Sequence, residues 1–108
     1  MDPAVRLLIR VVGEDVHEGD VFVNNAAYAG NAHVGEWTMF APIFHDGILV
    51  AWAANKCHLI DIGAHVPGSV DAGARDIYEE AMHFPGVRVC RDHKPKEDIV
   101  RFLGYNIR

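Results

Sequence analysis

The dipeptide Asp46-Gly47 constrains this chain more than any other feature. It separates Thr38–His45 from Ile48–Ala54, two runs whose aliphatic and aromatic residues suit strands. A two-residue type I′ loop needs positive φ at both positions, and Asp-Gly accepts that conformation readily. The runs are therefore expected to pair as antiparallel strands near 38–45 and 48–57. With His45 opposite Ile48, paired residue numbers sum to 93, which sets His58 opposite Gly35. Pro42 has no N–H to give to a ladder, so its strand is expected to be an edge or to carry a bulge.

Other segments are shorter. Val5–Val12 is an apolar run that suits either a strand or a helix. Gly13-Glu14-Asp15 and Glu18-Gly19-Asp20 read as turns, the second launching a strand at Val21-Phe22-Val23. Residues 24–32, with Gly30 and three Asn, read as a loop, as does the Gly- and Pro-containing stretch 61–68. Asp71 is placed to cap a helix from about Ala72 to Met82, with Ala74, Ile77, Tyr78, Ala81 and Met82 on one face. Val87–Cys90 alternates like a strand. A last helix is expected to take Pro95 in its first turn, place Glu97 and Asp98 at its positive end, and stop at Gly104. The expected class is α+β: an antiparallel β-hairpin and short strands with two C-terminal helices.

At 108 residues the chain holds one domain at most, and half of it is apolar, enough for a core. Ten Lys plus Arg against fifteen Asp plus Glu give a net charge of −5, which argues against a nucleic-acid binder. The longest apolar runs fall far short of the ~20 residues that span a bilayer, so no membrane partner is expected. The first twelve residues contain Asp2, Arg6 and Arg10 and lead to no small-residue cleavage site. The expectation is a cytoplasmic protein with Cys57 and Cys90 reduced. Neither GxGxxG nor GxxxxGK[ST] is present, so the chain carries no nucleotide fingerprint.

Seven histidines are many for this length. His33 and Glu36 form an HxxE pair. In the 93 register, His33 and His58 point to the same side as diagonal neighbours, and Glu36 swings in if the strand frays or bulges. Asp61 lies three residues after His58, and His65 lies seven residues after His58. Two imidazoles and one or two carboxylates suit a divalent transition metal such as Zn, Fe or Mn, with coordination positions left open. The plainer reading is of hydrogen-bonded histidines at strand ends. His17 and His45 are expected in solvent, His83 at a helix end and His93 in a charged loop. Cys57 should point away from His58 and be buried. Asn24 and Asn25 are expected to satisfy loop backbone groups.

Several blocks together resemble the hydantoinase B family: Gly19 to Asn25, Ala29-Gly30-Asn31-Ala32-His33, Pro42 to Gly47, and Asn55 to Gly63. Tyr28 to His33 and Ile48 to Ala54 look most like its acetone carboxylase branch. The family also includes N-methylhydantoinase and 5-oxoprolinase subunits. The resemblance implies a metal site on His33, Glu36 and His58, with Glu36 in place of the family's aspartate. It implies a supporting shell of Asn25 and Asp61, where Asn25 replaces a second aspartate; His65, in the Gly-rich segment seven residues after His58, is a further candidate from its position. No catalytic residue is assigned.

Family subunits are several times longer, so residues 1–108 are expected to be a single domain or a fragment of a hydantoinase B-like domain. The implied function is the metal-binding portion of an ATP-dependent carboxylase of the acetone or acetophenone type. ATP would sit on a hydantoinase A-type, ATPase-like partner subunit, and the substrate would be a small molecule. The alternatives are ATP-dependent opening of a hydantoin or oxoproline ring, or a non-catalytic metal-binding assembly subunit. An oligomer or larger complex is expected.

Overall fold

The computed structural model describes residues 3–68 and 70–107. Helix α1 (Pro3–Val12) resolves the ambiguous N-terminal run. Ala4, Val5 and Leu8 are buried, and Ile9 and Val12 pack beside them, which is helical spacing. Gly13 ends the helix in the left-handed region (φ 66°) and donates its N–H to the Ile9 carbonyl at 3.0 Å.

Five antiparallel strands follow in spatial order β3-β2-β1-β4-β5. They are β1 (Val21–Asn24), β2 (Glu36–His45), β3 (Ile48–His58), β4 (Val87–Arg91) and β5 (Lys94–Pro95). Asp46 and Gly47 make the expected hairpin loop, with φ of 50° and 76°. Pro42 is buried and lies within β2, the second strand of the sheet. β1 pairs only with Thr38, Met39 and Phe40, so Pro42 falls where β2 has no neighbour on that side.

The register of the hairpin departs from expectation. Phe44 pairs with Leu49, but Ile43 pairs with Ala51, so Val50 is an extra residue on β3. Beyond the bulge, paired numbers sum to 94, and His58 faces Glu36 rather than Gly35.

The two faces of the sheet carry separate cores. Phe22 and Phe40 pack under α1 together with Trp52, whose ring centroid lies 6.1 Å from that of Phe22. Val23, Phe84, Val89 and Leu103 form the other core beneath α3 (Glu97–Asn106). A third cluster, Val34, Ile62 and Ala81, closes the far end of the hairpin.

Both C-terminal helices differ from the sequence reading. The expected helix over 72–82 shrinks to α2 (Ile77–Glu80). Asp76 is its cap, accepting from the Tyr78 and Glu79 amides, while Asp71 accepts from Gly73 in a local turn instead. Pro95 belongs to β5, and α3 starts two residues later and runs through Gly104 to Asn106. Among the described residues, no helix is long and apolar enough to cross a membrane.

Candidate metal centre

His33, Glu36 and His58 converge at the open end of the hairpin, each offering one ligand atom within 4.8 Å of the others. His33 Nε2 lies 3.2 Å from His58 Nδ1 and 3.8 Å from Glu36 Oε1. The rings are tilted by 55° rather than stacked. The Val50 bulge produces this arrangement. It makes Glu36 and His58 a direct cross-strand pair, so no fraying of β2 is needed. His33 reaches them from the turn His33–Glu36, which the Glu36 N–H closes on the His33 carbonyl at 3.2 Å.

The donor set fits a divalent ion. Two nitrogens held at about 2.0–2.1 Å from one ion, at angles near 90–110°, lie roughly 2.8–3.4 Å apart. The observed 3.2 Å falls inside that range. The Glu36 carboxylate sits wider, with Oε1 3.8 Å from His33 Nε2. Its second oxygen, Oε2, faces the Lys56 ammonium at 3.8 Å. The His33 side chain is about half exposed (49%), so solvent reaches the same spot. The two ring nitrogens lie within hydrogen-bond distance of each other, the tautomers deciding which one donates.

The remaining expected site residues lie elsewhere or play other parts. His65 is exposed and lines a separate surface depression with Asp71, Arg75 and Tyr78. The Asp61 carboxylate accepts from the Gly63 N–H at 3.1 Å, shaping the loop after β3. Asn25 is fully buried. Its amide donates to the carbonyls of Val34 (3.2 Å) and Met82 (2.8 Å), and its oxygen accepts from the Phe84 N–H (2.9 Å). It therefore fixes the ligand turn from behind and is not among the three converging residues. An aspartate here would have no N–H to give those carbonyls. Cys57 does point away from His58, opposite Trp37, but it is exposed rather than buried because β3 is the sheet's edge strand. Both cysteines are free. Sequence reasoning missed Asn31, a small polar residue two before His33, and Lys56, which alternation places beside Glu36.

The description of one family, hydantoinase B/oxoprolinase, matches residues 1–108, the whole chain. The chain belongs to the hydantoinase B/oxoprolinase family. Among its hydantoinase B relatives, the caprolactamase subunit beta of Pseudomonas jessenii is 36% identical over 98% of this chain and 18% of its own length. The acetophenone carboxylase delta subunit of Aromatoleum aromaticum is 30% identical over 96% of this chain and 15% of its own. A crystal structure of the ATP-dependent caprolactamase from Pseudomonas jessenii superimposes with a TM-score of 0.91 at 33% identity. It covers 98% of this chain and 18% of that one. The chain thus spans less than a fifth of the length of these hydantoinase B relatives.

Proposed function

We propose that this chain supplies a divalent-metal site to a hydantoinase B-type, ATP-dependent enzyme that acts on a small carbonyl compound. The observation that supports the reading is the meeting of His33 Nε2, His58 Nδ1 and the Glu36 carboxylate at one solvent-reached point. Held by His33, His58 and Glu36, a divalent ion would supply positive charge that stabilises an oxygen on which negative charge develops. Mn, Zn and Fe all suit a two-imidazole, one-carboxylate set. Of the chain's own residues, His33 and His58 offer neutral nitrogens and Glu36 brings the negative charge. Lys56 partly balances that charge in the free chain. ATP would be bound by an ATPase-like, hydantoinase A-type partner subunit, as membership of the hydantoinase B/oxoprolinase family suggests.

Two reactions share this demand. In carboxylation of a ketone of the acetone or acetophenone type, charge develops on the enolate oxygen. In ring opening of a cyclic amide, it develops on the amide oxygen. The 30% identical acetophenone carboxylase subunit favours the first, and the 36% identical caprolactamase subunit favours the second.

The test is metal content and affinity of the purified chain. His33→Ala, His58→Ala and Glu36→Gln should each weaken binding of Mn, Zn or Fe by about tenfold or more, since even an outer partner of a ligand is worth 10–100-fold. His17→Ala and His93→Ala should leave it unchanged. Equal metal content in all five variants would refute the site.

A further inference from the structure

We infer that Asn31 and Thr38 are positioning residues that hold the HxxE turn ready for an ion before any ion binds. This inference rests on the metal reading above.

Four consecutive carbonyls run through the ligand turn, and each has a donor. The His33 carbonyl accepts from Asn31 Nδ2 at 2.9 Å, and the Glu36 carbonyl accepts from the same amide at 2.5 Å. Between them, the Val34 carbonyl takes Asn25 Nδ2 and the Gly35 carbonyl takes the Leu59 N–H at 3.0 Å. One buried amide, 6% exposed, therefore grips the backbone of two of the three ligand residues at once. Leu59 ties in the third, because it directly follows His58.

The Asn31 amide is itself held in one orientation. Its oxygen accepts from Thr38 Oγ at 2.7 Å, and Thr38 is 1% exposed. Thr38 lies two residues after Glu36 in β2 and so on the same sheet face. Three good partners leave the amide no useful alternative rotamer, and a flip would set its oxygen against two carbonyls. Gly30 starts the arrangement. It adopts φ 86° and lies so close to α1 that a Cβ would stand 2.8 Å from the Ala4 Cα. The loop is thereby pressed on the helix and delivers Asn31 beneath the turn. A fixed ligand turn lowers the ordering cost of binding, which is how supporting groups raise affinity without touching the ion.

The experiment compares the full 108-residue chain with Asn31→Ala, Thr38→Val and Thr38→Ser. Two readouts are used: Co²⁺ titration followed by visible absorption, and amide hydrogen exchange in metal-free protein. Asn31→Ala and Thr38→Val should weaken Co²⁺ binding by about tenfold to a hundredfold and alter the absorption bands. In both, the Glu36 and Leu59 amides should exchange faster without metal, while amides in the body of the β2–β3 hairpin keep their protection. Thr38→Ser retains the hydroxyl and should restore affinity and spectrum. Unchanged affinity and spectrum in both damaging variants, with a wild-type chain that binds Co²⁺, would overturn the positioning role alone. A rise in exchange spread evenly over the whole sheet would also overturn it, by showing a merely structural part. A wild-type chain that takes up no Co²⁺ would overturn the metal reading and this inference with it.

Discussion

Replacing Asn25 with Asp changes one buried group and little shape, and the structure makes a sharp statement about the result. The wild-type amide gives its two N–H bonds to the Val34 and Met82 carbonyls and accepts from the Phe84 N–H. Aspartate keeps the acceptor and loses both donors. A buried group left without its partner costs about 1–3 kcal/mol, so the two carbonyls together cost about 2–6 kcal/mol, before any repulsion from a charge beside them. That is a large part of the about 5–15 kcal/mol that holds a typical domain together. Urea unfolding with a slope near 1–2 kcal/mol per molar should register a midpoint lower by about 1 M or more.

The cost of Asn25→Asp should also depend on pH. Burial and two facing carbonyls raise the new carboxyl's folded value above its unfolded value of roughly 3.9. The folded state then binds the extra proton, so the variant's stability relative to wild type falls as pH rises above about 4 and levels off above the folded value. Protonated, the side chain regains one donor and part of the loss. A variant as stable as wild type at pH 7, or one whose deficit does not shrink toward pH 4, would refute the hydrogen-bond assignment around Asn25.

Two further outcomes follow from the surface. The Asp15 carboxyl is held below the ordinary aspartate range chiefly by its hydrogen bond from the Arg88 guanidinium (Nη1 to Oδ2, 3.0 Å), with Arg91 and His17 adding attraction. A depressed folded value gives stability above about pH 4 that is lost on acidification, so Asp15→Asn should melt lower than wild type at pH 7 and converge with it toward pH 2. Strand β3 is the edge of the sheet, with Ile48, Leu49 and Val50 exposed, and such edges recruit other strands. The chain should therefore sediment above its monomer mass in analytical ultracentrifugation, and Val50→Lys should shift it toward monomer; a wild-type monomer at working concentration would count against an open interface.

The parts of the fold that were legible in the sequence are those fixed by local chemistry. Asp46-Gly47 dictated its turn because few other pairs accept two positive φ angles, and the alternation in Val87–Cys90 marked β4 correctly. The three candidate ligands were legible from HxxE, from the hairpin and from the family resemblance, and the structure brings them together. What failed depended on competition between near-equal local options. Asp71 and Asp76 are both good caps, and the choice of Asp76 cut α2 to a single turn. Pro95 suits a helix start and a short edge strand equally, and pairing with Cys90 decided for the strand. Asn31 reads only as loop in the sequence, because its role lies in what it touches across seven residues, which no periodicity reports.

The Val50 bulge is the most consequential feature that the sequence left open, and the core explains why it is there. Without it, Trp52 would oppose Ala41, and alternation would turn the indole away from the face that holds Phe22 and Phe40. With it, Trp52 opposes Pro42, shares that face and packs its ring against Phe22. A one-residue slip sends every later side chain of β3 to the other face, so packing the half-buried Trp52 on the core favours the observed register. His58 lies six residues further along β3 and inherits the choice. In the unbulged register, Glu36 would face Cys57 and point away from His58. In the observed one, Glu36 and His58 are direct partners. The hydrophobic packing under α1 and the meeting of two candidate ligands are thus two consequences of the same inserted residue. The site is specified by the core as much as by the histidines themselves.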